Sequence, residues 1–143
     1  MLRAAVALDT SEHDAVLMQA AARFAREGAF ELVLVHVVNP LTDAAGVLAE
    51  RRDAAVAQVM AERQRYLEAR AAEGGGAADI ALELLRRGED RPGAIARVCA
   101  ERGADVLVVG TNRASGVRGL ILGSVTQQLL RVSPCPVLVV RVD

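Results

Sequence analysis

Gly110, Gly123 and Ser124 stand where a chain could seat an anion. They belong to a stretch from Ala104 to Arg131 that begins with Val106–Val109, a branched apolar run typical of a strand covered on both faces. Gly110 is expected to end that strand, and a loop rich in small residues follows. Gly123-Ser124 then opens a helix, with Ser124 as its N-cap and Val125, Leu129 and Val132 at helical spacing. A strand, a glycine-rich loop and a helix N-terminus are the parts of a phosphate cradle. The glycines let backbone approach the ligand, and the first-turn N–H groups point at the anion. Charge agrees. From Val106 to Val142 there is no Asp or Glu, whereas Arg113, Arg118, Arg131 and Arg141 occur there, so the acids of this chain of net charge −1 lie elsewhere. A surface loop whose glycines serve only turns fits the same residues.

Asp9 follows the first apolar run. A carboxylate there suits a ribose hydroxyl or a magnesium-bound phosphate, and equally suits capping of the next helix. His36 has no sequence-adjacent nucleophile or carboxylate and reads as a strand-end packing residue rather than a catalyst. His13, beside Glu12 and Asp14, reads as solvated. Cys99 and Cys135 lack metal-ligand spacing, and Cys135, between Pro134 and Pro136, reads as a packed thiol. There is no Gly-x4-Gly-Lys-Ser/Thr, which excludes a P-loop NTPase. No nucleophile–base constellation is visible, so the chain is not expected to be an enzyme.

The elements that must position these residues alternate along the chain. Leu2–Leu8 reads as a first strand. Thr10, Ser11 and Asp14 offer cap chemistry for a helix reaching about Glu27, with Val16, Ala20 and Phe24, and Leu17 and Ala21 beside them, as its buried stripe. Gly28 stops it. Glu31–Val38 is a second strand, continuous in apolar residues from Leu32 to Val35. After Asn39-Pro40 a long helical pattern runs from about Ala45 to Ala72. Leu48, Ala55, Val59, Tyr66 and Leu67 share one face, and Arg51, Arg52, Glu62, Arg65, Glu68 and Arg70 the other. Such a helix would be about 40 Å long, more than a small domain needs, so part of the 40–50 region is expected to be irregular. Glu73-Gly74-Gly75-Gly76 ends it. Ile80–Leu85 is a weaker third strand. Pro92 starts a helix through Ile95, Val98 and Cys99, and Gly103 ends it. Pro134 and Pro136 lead into a last strand, Val137–Val142. This alternation predicts an α/β fold: a parallel sheet with helices on both faces and right-handed crossovers.

The totals fit that picture. A length of 143 residues suits one domain, 1–143. With 52% apolar but only 2% aromatic residues, the core must be built from Ala, Val and Leu. No apolar run is long enough for a membrane span. Met1-Leu2-Arg3 leads straight into a strand, so no signal peptide is expected, and with it a cytoplasmic location and reduced thiols. A net charge near zero argues against a general nucleic-acid binder.

The spacing Gly110-x2-Arg113-x9-Gly123-Ser124 resembles the Gly-x2-Gly-x9-Gly-Ser/Thr signature of the universal stress protein family. Ser133-Pro134-Cys135-Pro136-Val137-Leu138-Val139-Val140 is similar to that family's usual ending. So are Val6-Ala7-Leu8-Asp9-Thr10-Ser11 near the start and Val35-His36-Val37-Val38 after it. The resemblance spans essentially the whole chain, with one departure: Arg113 stands where nucleotide-binding members carry the second glycine. The resemblance implies a five-stranded parallel sheet of order 3-2-1-4-5. That is a Rossmann-like three-layer sandwich of the adenine nucleotide alpha hydrolase-like type, with the ligand crevice between strands one and four. It further implies nucleotide contacts at Asp9, Thr10, Val37 (whose backbone would meet adenine), Gly110, Arg113, Gly123, Ser124, Val125 and Thr126. It also implies ATP as ligand, with Mg2+ accompanying it, and a homodimer through the C-terminal strand Val137–Val142.

The leading expectation is therefore a cytoplasmic adenine-nucleotide-binding regulatory module, with at most slow incidental hydrolysis. Arg113 leaves two outcomes open. Its guanidinium fork pairs with phosphate, or it fills the crevice and blocks ATP, leaving a protein that acts only through its surface. A flavodoxin-like electron carrier is disfavoured because Phe24, Phe30 and Tyr66 all lie outside the loop. An adenylating ligase would need more chain.

Overall fold

The structure is a computed structural model that describes residues 1–44, 49–74, 78–111 and 122–143. Leu48, Gly75, Gly76, Arg113 and Arg118 lie outside the described residues, as does the loop between Thr111 and Leu122. The elements are β1 (Leu2–Ala7), α1 (Asp14–Gly28), β2 (Phe30–Val38), a short 3-10 turn (Ala49–Arg51), α2 (Arg52–Glu73), β3 (Asp79–Leu84), α3 (Arg91–Glu101), β4 (Val106–Thr111), α4 (Ser124–Val132) and β5 (Val137–Arg141). All strand pairs are parallel, and the sheet order is β3-β2-β1-β4-β5. The expected 3-2-1-4-5 sheet with helices on both faces is therefore present.

Alternation along the strands builds two cores. Ala4, Val6, Leu34, Val106 and Val108 face α1 and α2, where Leu17, Met18, Ala21 and Leu67 meet them. Ala5, Val33, Val35, Val37, Leu107 and Val109 face α3 and α4, against Ala94, Ile95, Val98 and Leu129. Small and branched side chains fill both layers, and the one aromatic stack, Phe24 on Phe30, closes the base of α1 with ring centroids 4.8 Å apart.

Several local expectations are corrected. The buried stripe of α1 is Asp14, Leu17, Met18, Ala21, Ala22 and Ala25, while Val16 is exposed. The helix is turned by about one residue because Asp14 must point inward. Its left-handed terminus is Ala29, φ 56°, not Gly28. The long helix is shorter than the pattern suggested, 22 residues from Arg52, or about 33 Å. On its polar face Arg70 is half-buried, donating to the Tyr66 hydroxyl at 3.2 Å. Gly110 does not end β4. The strand continues to Thr111, and a side chain at Gly110 would meet Val142 Cγ1 at 3.1 Å, so the glycine serves a close approach. Ser124 is not the cap of α4. Gly123 is, and no side chain bonds to it; Thr126 and Leu129 are buried whereas Val125 and Val132 are exposed.

Candidate functional site

Because β1 has β2 on one side and β4 on the other, chain crossovers leave the sheet in opposite directions there, and a crevice opens at the strand carboxyl ends. A cleft of about 260 Å³ occupies that place. Its walls include Asp9, His36 and Val37 at the ends of β1 and β2, Arg91 and Ile95 of α3, Gly110 and Thr111 of β4, and Val125, Thr126 and Leu129 of α4. The size is near the lower end for small-ligand pockets, about 300 Å³.

The β1–α1 loop forms one rim, and a buried carboxylate shapes it. Asp14 is 2% exposed. Its oxygens accept from the amides of Asp9 at 3.3 Å and Thr10 at 2.9 Å and from the Tyr66 hydroxyl at 2.6 Å. These bonds hold Thr10 at φ 65°, a conformation that side chains rarely adopt unaided. Burial raises the Asp14 carboxyl above its ordinary value, opposed by the Tyr66 bond and reinforced by the Asp9 charge. Tyr66, half-buried beside this carboxylate, is pushed up to about 12, first by burial and then by its bond to Asp14. Asp9 behaves differently. Burial pushes it up, but hydrogen bonds from Ser11 outweigh that and hold the carboxyl below its ordinary value. It is exposed, accepts from the Ser11 amide at 2.9 Å, and stays ionised at the cleft rim. Asp14 thus caps the loop behind it rather than the helix it begins, and the cap proper, His13, makes no side-chain cap bond.

His36 is 4% exposed, and its ring is fixed at both nitrogens. Nδ1 lies 2.8 Å from the Leu8 carbonyl, so it donates, and Nε2 lies 2.8 Å from Arg63 Nη1 of α2, so it accepts. The Arg63 contact requires the neutral ring, because Nε2 must accept. Burial lowers its pKa; the Leu8 bond opposes this, and the Arg63 and Arg91 charges add to the fall. The folded value is depressed below the ordinary 6.5, so the unfolded chain takes up a proton that the folded ring resists. The corresponding stability is complete above that ordinary value and is lost as pH falls below it. Urea unfolding should show a lower midpoint at pH 5 than at pH 7, and His36→Gln should remove that part of the slope.

The far wall is α4. Thr126 Oγ1 reaches the Gly110 carbonyl at 3.4 Å, fixing the helix to β4. Gly123 has φ −63° and ψ 159°, an extended capping conformation, and no described side chain makes a cap hydrogen bond there. The neighbouring α3 contrasts with it: the Asp90 carboxylate accepts from Gly93 N at 2.8 Å and closes that terminus.

The cleft therefore brings together Asp9, Val37, Gly110, Val125 and Thr126. Thr10, Gly123 and Ser124 sit beside it without lining it, and Arg113 lies outside the described residues. His36 packs at a strand end as its sequence context indicates. His13, expected in solvent, is half-buried and lines the cleft. Asp14, Arg91 and Ile95 were missed as cleft residues. Their place depends on contacts distant in sequence, although Arg91 just before Pro92 at a helix start was a usable signal. Cys99 is a buried free thiol, pushed up to about 12 by burial, with the Cys135 thiol adding to the shift.

Comparison with known proteins decides the family. The profile described as "Universal stress protein family" matches residues 1–141. The chain belongs to that family. It is 30% identical over 143 residues to "Universal stress protein YxiE" of Bacillus subtilis (strain 168), covering 95% of this chain and 96% of that protein. Among solved structures, the universal stress protein from Archaeoglobus fulgidus in complex with dAMP aligns with TM-score 0.60 at 20% identity, over 100% of this chain and 98% of that one. A universal stress protein in complex with cAMP aligns with TM-score 0.64 at 22% identity, over 99% and 98%. At those identities the two likenesses speak for the fold.

Proposed function

We propose that this universal stress protein domain, residues 1–143, binds ATP in the β1/β4 cleft and acts as a regulatory module rather than a catalyst. The observation that carries the reading is the first turn of α4. It contributes Val125 and Thr126 to the cleft, and no described side chain caps its terminus. First-turn amides and the positive end of the helix dipole favour a polyphosphate. Gly123 and Ser124 would meet the phosphates from that turn, with Gly110 beside them and Arg113, outside the described residues, as a further contact.

The opposite end suits a base. Val35 accepts from Leu8 N on the β1 side, and Val38 accepts from Leu85 N on the β3 side. By strand alternation the Val37 N–H and C=O face β1, beyond the end of that strand. A donor and an acceptor side by side at the end of an apolar slot complement the edge of adenine. Asp9, ionised at the rim with Thr10 next to it, fits a ribose hydroxyl or a magnesium ion that takes its remaining oxygens from the phosphates and water. The dAMP and cAMP complexes of the similar folds support an adenine nucleotide as the class of ligand.

No helix among the described residues is long and apolar enough to cross a membrane; a cytoplasmic location, with neither membrane nor nucleic acid as partner, is part of the same proposal. Strand β5 lies at the sheet edge with Val137, Leu138, Val139 and Val140 all half-buried. A bare apolar edge invites pairing, and an antiparallel two-fold contact closes it. Light scattering at high micromolar concentration is expected to give a dimer mass; a stable monomer there would remove this part of the reading.

Equilibrium titration with labelled ATP and magnesium tests the function directly. Saturable binding below millimolar ATP is expected. If no saturation occurs at millimolar ATP, the domain acts through its surface alone.

A further inference from the structure

Arg91 is the only arginine or lysine side chain lining the cleft among the described residues. It opens α3, and Ile95, one turn later on the same face, lines the cleft with it. Among the described residues its ion pair is a loose one, Nη2 to Asp43 Oδ2 at 3.8 Å, and its side chain is 43% exposed, so a planar fork of five donors stands at the cleft without a tight carboxylate partner. Asp43 belongs to the turn that follows β2, where it accepts from Asn39 N at 2.9 Å. Arg91 therefore stands at the β2 end of the cleft. The first turn of α4 stands at the β4 end, beyond β1. Two strand spacings separate those ends, about 10 Å, comparable with the reach of a nucleotide from its base to its 5′ phosphate.

We propose, resting on the nucleotide reading above, that Arg91 contacts the base and not the phosphates. Its guanidinium plane lies against the ring held between Ile95 and the end of β2. It thereby sets the affinity of the site for the nucleoside portion of its ligand. Planar stacking of this kind is a guanidinium property that a lysine reproduces only in part.

Titration of the wild type, Arg91→Ala, Arg91→Lys and Asp43→Asn with adenosine and with ATP–magnesium, at two salt concentrations, tests this. Arg91→Ala is expected to weaken adenosine and ATP by the same factor, about tenfold, without changing the salt dependence of ATP binding. Arg91→Lys should fall between, and Asp43→Asn should bind as the wild type. Loss of ATP affinity with adenosine unchanged and a shallower salt dependence would make Arg91 a phosphate residue and overturn the proposal. Wild-type binding by Arg91→Ala, or a loss reproduced by Asp43→Asn, would also overturn it. A wild type that binds neither adenosine nor ATP would sink the nucleotide reading itself, whereas the preceding outcomes leave that reading standing.

Discussion

Gly123→Asp should make the domain slightly more stable and nearly unable to bind ATP. A Cβ built at Gly123 finds no atom of the described residues within 4 Å, and its φ of −63° and ψ of 159° suit any capping residue. An aspartate placed there can accept from the amides of the α4 first turn and oppose the helix dipole. The expected gain is about 0.5–1 kcal/mol. Those amides are the ones assigned to the phosphates, so the new carboxylate occupies the seat and repels the ligand. Affinity should fall at least about thirtyfold, roughly 2 kcal/mol. Urea unfolding and ATP titration of one preparation give both numbers. Unchanged ATP affinity would mean that the polyphosphate lies elsewhere. Gly110→Val is the contrasting change. Its Cβ would stand 3.1 Å from Val142 Cγ1 and 3.6 Å from Leu17 Cδ2, so stability and binding should fall together.

The largest loss of stability is expected from Asp14→Ala. That carboxylate is 2% exposed and serves two loop amides and the Tyr66 hydroxyl. Its removal leaves the Asp9 and Thr10 amides without their acceptor and the positive φ of Thr10 without its support. Stranded donors and lost strain support together cost about 3 kcal/mol, or roughly 10 °C in Tm for a domain of this size. Tyr66→Phe removes a single bond and should cost about 1 kcal/mol. Chemical denaturation of both variants measures this, and equal losses would show that the loop amides contribute nothing.

The sheet could be read from the sequence because each strand carries its own signal. Leu32–Val35 and Val106–Val109 are continuous apolar runs, and helical patterns between them leave only a parallel arrangement. The strand order came from the family resemblance. Asp14 was read as a forward cap because a carboxylate at a helix start normally is one. What turns it backward is Tyr66, 52 residues away, which no local pattern contains. The pairing of Arg63 with His36 is equally remote, 27 residues apart. The one-residue offset of the α1 stripe follows from the same cause, since an inward Asp14 fixes which neighbours are buried. On α4, spacing alone favoured Val125 and Val132. The contact of Thr126 with Gly110 rotates the helix instead, and a nine-residue helix has too few turns to resist it. Asp9 and Gly110 were legible as crevice residues because a parallel sheet places strand carboxyl ends in one row, whereas Val37 came from the family resemblance.

The bond from Tyr66 to Asp14 also gives the molecule an optical signal of its own. The chain has one tyrosine and no tryptophan, so nearly all its near-ultraviolet emission comes from a single ring. That ring rides on α2 while its hydroxyl touches a carboxylate on the neighbouring helix α1, an arrangement that quenches tyrosine light. Brightening without unfolding would therefore mark the moment α2 lifts from the rim of the cleft.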